Sequence, residues 1–71
     1  MFIYFKQNKD GAKTHGPFKS DAIPNINDDV EFEIVAKEEN KIKTYEKMKG
    51  RVVYCSWHFS FGRVSVIVIY D

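Results

Sequence analysis

The sequence predicts an all-β domain, a small five-stranded barrel of OB-like type. Three observations lead there. First, the 71 residues contain no leucine; the large aliphatics are seven valines and seven isoleucines, joined by 15% aromatic residues. Branching at Cβ restricts χ1 and suits a pleated surface better than a helix. Second, apolar residues alternate with polar ones in the clearest segments, which is the period of a strand. Third, five strand-like segments share one short chain with no second layer to cover a flat sheet, and closure into a barrel removes that need. An SH3-like barrel, or an α+β domain with a short helix at 38–49, are the alternatives the residues leave open.

The segments run as follows. Phe2-Ile3-Tyr4-Phe5 reads as the first strand, with Ile3 directed inward and Phe2 and Tyr4 outward. Residues 8–28 are dense in breakers, including Asp10-Gly11, Gly16-Pro17 and Pro24-Asn25. They read as a long connection anchored by Phe18, Ile23 and Ile26. In Val30 to Val35, Val30, Phe32 and Ile34 alternate with Glu31 and Glu33, giving one buried and one wet face. Residues 38–49 fit either an exposed strand after a turn at Glu39-Asn40 or a helix with Ile42, Tyr45 and Met48 at spacing three. The strand is preferred because its neighbours are strands. Arg51 to Cys55 is a fourth strand, Phe61-Gly62 a turn, and Val64 to Tyr70 the last strand. That last strand is apolar on both faces, so it is either central in the sheet or covered by a partner.

Size and composition narrow the function classes. The whole chain, 1–71, is one small domain, and a chain this short buries only roughly 60% of its unfolded surface. Cys55 is the sole cysteine, so no internal disulfide is available; this fits a reducing, cytoplasmic setting. The apolar run Met1 to Phe5 is too short for a membrane span or a signal peptide's apolar region, so no membrane partner is expected. Net charge is +1, but it is unevenly spread: +2 over residues 1–27, −5 over 28–40 and +4 over 41–71. Solvated faces explain this simply; a basic face that meets phosphates is the sharper reading.

The stretch Tyr54-Cys55-Ser56-Trp57-His58-Phe59-Ser60-Phe61-Gly62 packs four aromatics and a histidine into nine residues. When extended, it places Trp57, Phe59 and Phe61 on one side and Ser56, His58 and Ser60 on the other. That is the pattern of a base-stacking stripe, and equally that of a core face with polar residues outside. Catalysis and metal binding are not expected. Cys55 lies in an apolar strand, where a thiol behaves as a small hydrophobe. Cys55 and His58, three apart, fall on opposite faces of a strand, and a structural zinc site needs four placed ligands. The glycines are too scattered for a phosphate loop, and no cofactor is expected.

Two motifs resemble the cold-shock domain family. Phe-Ile-Tyr-Phe at 2–5 is similar to that family's F-V-H-F, and Asp28 to Val35 resembles the following strand, G-x-x-V-E-F-E-V. The C-terminal part, from Gly50 through Phe61-Gly62, loosely resembles the family's first hairpin, as if its first two strands had moved to the end. The chain departs from the pattern at Ser60, Arg63, Tyr54 and Tyr4. The resemblance implies an OB-fold that binds single-stranded RNA or DNA by stacking bases. By position it implies Phe2, Tyr4, Phe5, Tyr54 and Phe61 as stacking residues, with Arg63 where an aromatic is expected. Trp57, His58 and Phe59 join them on physical grounds. Lys6, Lys13, Arg51 and Arg63, with Lys41, Lys43, Lys47 and Lys49, are the expected phosphate contacts. The rival expectation is a protein-interaction module, such as a small homodimer formed through Val64-Tyr70 or an inhibitor of phage or plasmid type.

Overall fold

A computed structural model describes all residues, 1–71. It is all strand, with β1 at Phe2–Gln7, β2 at Thr14–Lys19, β3 at Asp29–Glu39, β4 at Ile42–Ser60 and β5 at Arg63–Tyr70. The strands form one sheet in the order β2-β1-β5-β4-β3. It curls into a nearly closed five-stranded barrel.

The doubly apolar strand β5 is central. It pairs parallel to β1, from Phe2↔Ser65 to Gln7↔Tyr70, and antiparallel to β4, from Val52↔Tyr70 to Ser60↔Arg63. With both edges occupied, β5 has no free backbone row to offer a second chain. The strands at the two chain ends are neighbours, as the sequence suggests.

The core holds Ile3, Phe5, Phe32, Val52, Val66, Val68 and Tyr70, with Val52, Val66 and Val68 completely buried. β2 and β3, the two ends of the sheet, share no backbone ladder. Rings close the gap instead. Phe32 of β3 stacks on Phe5 of β1 at 4.2 Å between centroids, and Phe18 of β2 meets both edge-on at 5.5 and 5.7 Å. Tyr70 meets Phe32 edge-on at 5.4 Å.

β4 serves both halves of the barrel. Its first part, to Arg51, pairs with β3; its second part, from Val52, pairs with β5. The corner lies at Gly50 to Val53. Arg51 exchanges backbone hydrogen bonds with Asp71, while Val52 donates to Asp28 and accepts from Asn27. A register shift at Val53 bends the strand. Gly50 lies so close to the Tyr70 ring and the Asp71 carbonyl that a Cβ there would overlap both.

The structure decides one alternative and corrects two expectations. Residues 38–49 take the preferred strand reading, not the helix: β3 and β4 form a ladder from Asp29↔Arg51 to Glu39↔Ile42 around a turn. The helical spacing of Ile42, Tyr45 and Met48 loses to cross-strand pairing, and the turn falls at Asn40-Lys41, both with positive φ. Arg51 to Cys55 is the middle of one 19-residue strand. The connection 8–28 contains β2, paired with β1 across a bulge, because Thr14, His15 and Phe18 suit an edge strand and Pro17 is tolerated at the irregularity.

Candidate nucleic-acid interface

Alternation along β1, β5 and the second half of β4 turns one residue set inward and the other outward. Ile3, Phe5, Val66 and Val68 go in, so their neighbours form the outer face. The register arranges that face in rows across four strands. Lys19, Phe2, Ser65 and His58 form the first row; Tyr4, Ile67 and Ser56 the second; Thr14, Lys6, Ile69 and Tyr54 the third. With strands about 4.8 Å apart, Phe2 and His58 lie roughly 10 Å apart, and so do Lys6 and Tyr54.

This sheet has a distinctive charge. β1, β2, β5 and residues 52–60 of β4 contain no aspartate or glutamate, but carry Lys6, Lys19, Arg63, His15 and His58. The strand acids all lie on β3 and the first half of β4. Three of them meet basic partners: Lys47 and Lys49 reach Glu31 at 3.3 and 3.9 Å, Arg51 reaches Asp29 at 3.6 Å and Lys37 reaches Glu39 at 3.3 Å.

The expected site residues therefore divide. Phe2, Tyr4 and Tyr54 share the outer face, with Tyr54 58% exposed and the first two half-buried. Lys6 lies in the same row as Tyr54. A cleft of about 500 Å³ beside Tyr54 is lined by Lys6, Lys9, Ile69 and the loop acid Asp10. His58 shares this face, and its Nε2 lies 3.0 Å from Ser56 Oγ. Phe5 drops out: its ring is sealed between Phe18 and Phe32. Arg51 Nε lies 3.6 Å from Asp29 Oδ1, with both side chains exposed. Lys13 is exposed in the β1–β2 loop and belongs to no strand of the sheet.

Trp57 and Phe59 point to the opposite side of the sheet. They pair with Val66 and Val64 beyond the end of the core, and remain 50% and 74% exposed. Their rings stack at 6.3 Å with planes 14° apart. Trp57 also lines a cleft with Met1, Ile23, Pro24 and Ile26. Phe61 sits at the hairpin tip, fully exposed and at φ 48°, a left-handed conformation that costs a bulky residue energy. Nothing in the barrel is gained by a phenylalanine there. Arg63 follows at the start of β5.

Lys9, Lys19, Ile67 and Ile69 are face residues that sequence reading missed. Only the parallel register of β1 on β5 places the isoleucines between the aromatic strands, and no local signal encodes it. Burial raises the Cys55 thiol above its ordinary pKa, and Cys55 Sγ lies 3.6 Å from the Pro24 carbonyl oxygen as donor; both describe an inert thiol. No group of three or more His, Cys, Asp or Glu gathers as a metal site. The structure contains no helix long and apolar enough to cross a membrane. No family model, no curated protein and no solved structure matches the chain.

Proposed function

We propose that the protein binds single-stranded nucleic acid, RNA or DNA, without catalysis, on the outer face of this sheet and in the cytoplasm. One observation carries the reading: β2, β1, β5 and residues 52–60 of β4, all without Asp or Glu, present Phe2, Tyr4 and Tyr54 on one face beside Lys6 and Lys19. Base stacking needs exposed π-faces beside positive charge, and each stacked base is worth roughly 1–3 kcal/mol without base-specific hydrogen bonds. Ile67 and Ile69 add apolar floor between the rings. The segregation of strand acids onto β3 and the first half of β4 supports the same reading, since a polyanion approaching the face of β2, β1, β5 and residues 52–60 meets no strand carboxylate there. The cold-shock resemblance points to the same ligand class through Phe2 and Tyr4. Phe61 and Arg63 at the hairpin tip extend the surface.

The test is a titration of the full chain with labelled oligonucleotides at low salt, in three arms: single-stranded RNA, single-stranded DNA and duplex DNA. The expected result is micromolar or tighter binding to one or both single strands, weakening as salt rises, and weaker binding to the duplex. No single-strand binding at low salt refutes the proposal.

A further inference from the structure

The barrel has several free backbone edges, and all but one are guarded. Natural sheets protect edges with charge, proline or bulges. β2 carries Pro17, a bulge and Lys19. β3 carries Asp29, Glu31, Glu33, Glu38 and Glu39. The free side of β4 from Ile42 to Arg51 carries Lys43, Glu46, Lys47, Lys49 and Arg51. The exception is the second half of β4. From Tyr54 to Ser60 its backbone pairs with β5 on one side only: the ladder with β3 ends at Asp29↔Arg51, the loop before β3 adds backbone hydrogen bonds only as far as Val52, and beyond that Pro24 meets the Cys55 side chain alone. Its seven residues contain no Asp, Glu, Lys, Arg or Pro. Aromatics stand exposed on both of its faces: Tyr54 on one, Trp57 and Phe59 on the other.

We infer that a second copy of this chain pairs on that edge, antiparallel and about a two-fold axis at Trp57. The occupant is argued from self-complementarity. In a two-fold antiparallel pair each residue faces its mate reflected through the axis. Centred on Trp57, Phe59 faces the partner's Cys55, Tyr54 faces the partner's Ser60, and Ser56 faces the partner's His58. Large side chains meet small ones, and the hydroxyl–imidazole pair already formed within one chain at 3.0 Å has the chemistry to form between chains. The axis brings two indoles together. No like charges meet. The same operation on β3, or on the first half of β4, sets like charges across from one another in several registers, a destabilising arrangement. The pairing satisfies the backbone groups that alternate residues of β4 direct outward. It also joins the two outer faces edge to edge, with Tyr54 and His58 of each copy beside the seam. The dimer does not depend on the nucleic-acid reading.

The experiment is sedimentation equilibrium on the full chain, from about 1 µM to about 1 mM. The expected species is a dimer of twice 8.3 kDa. Trp57→Glu places two carboxylates on the axis and should give a monomer with an unchanged far-UV spectrum. A second variant covers the case in which Trp57→Glu fails to fold. In Trp57→Cys combined with Cys55→Ser, two cysteines meet on the axis at the 4.5–5.5 Å Cα separation of paired strands, within disulfide range. Oxidation should convert it to a covalent dimer; Thr44→Cys in the same Cys55→Ser background should not respond. A wild-type monomer across the concentration range overturns the inference. So does a dimer that survives Trp57→Glu with its fold intact, or a Trp57→Cys protein that stays uncrosslinked.

Discussion

Phe5 and Phe32 stack with planes 9° apart at 4.2 Å, joining β1 to β3 where the backbone does not. The barrel is thus hydrogen-bonded along four seams and closed by rings at the fifth. Truncating Phe32 opens that seam. Phe-to-Ala substitutions in cores cost about 3–5 kcal/mol, and a chain of this size has about 4–10 kcal/mol in total. Phe32→Ala should lose about 3–5 kcal/mol of unfolding free energy in a denaturant titration followed by circular dichroism, whereas Phe32→Leu loses less and keeps a cooperative transition.

Gly50 and Tyr70 give a second stability test. A methyl group at Gly50 has to displace the Tyr70 ring or the terminal backbone. Overpacking of this kind costs typically about 1–3 kcal/mol. Gly11→Ala is the comparison: φ is 74° but the space is open, so its cost is that of backbone conformation alone, on the order of 1 kcal/mol. Urea midpoints should rank wild type, then Gly11→Ala, then Gly50→Ala.

Stability and binding should move in opposite directions at Phe61. Asparagine tolerates the left-handed conformation that Phe61 adopts. Phe61→Asn should raise the melting temperature slightly and weaken single-strand binding. A substitution that leaves binding unchanged would remove Phe61 from the interface.

On the platform, Tyr54→Ala should weaken single-strand binding about 5- to 150-fold, the equivalent of about 1–3 kcal/mol per stacked base, with the melting temperature held within a few degrees because the ring is exposed. Lys6→Ala should flatten the dependence of log K on log salt by about 0.7. Arg51→Ala, whose guanidinium sits on Asp29, should leave that slope nearly unchanged.

Alkaline pH should destabilise the fold. Burial raises the Tyr70 hydroxyl and the Cys55 thiol above their ordinary pKa values. Both groups hold their protons more tightly folded than unfolded, so the unfolded state releases protons first as pH rises. Stability is fully present below the ordinary thiol range and falls above about pH 9. Unfolding midpoints measured from pH 7 to pH 11 should decline, and Tyr70→Phe should soften the upper part of that decline.

Much of the fold is legible in the residues. The absence of leucine and the alternation in Val30 to Ile34 identify strands, and Ile3 and Phe32 fall inward as their patterns require. What is hidden is non-local. β2 is masked because Gly16 and Pro17 read as breakers, though an edge strand accommodates them. Residues 42–60 read as two segments because Gly50 looks like a boundary; in the barrel it is a bend forced by contact with Tyr70. The candidate face was half visible. Phe2 and Tyr4 follow from alternation with Ile3; for Phe5, motif position points to the surface and alternation to the core beside Ile3, and alternation wins. Trp57 and Tyr54, three apart on one strand, fall on opposite sides of β4 as alternation requires, so the aromatic cluster at 54–61 divides between two faces.

The order β2-β1-β5-β4-β3 has a kinetic consequence. β1 and β2 form one local hairpin, β3 and β4 another, and no ladder joins them except through Arg63–Tyr70. During synthesis the ribosome thus releases two marginal hairpins whose common scaffold is threaded last. Contacts as distant in sequence as Phe2 with Ser65 make refolding slow for so small a molecule, and a nascent chain stalled before Arg63 exposes both hairpins' apolar faces to chaperones and proteases.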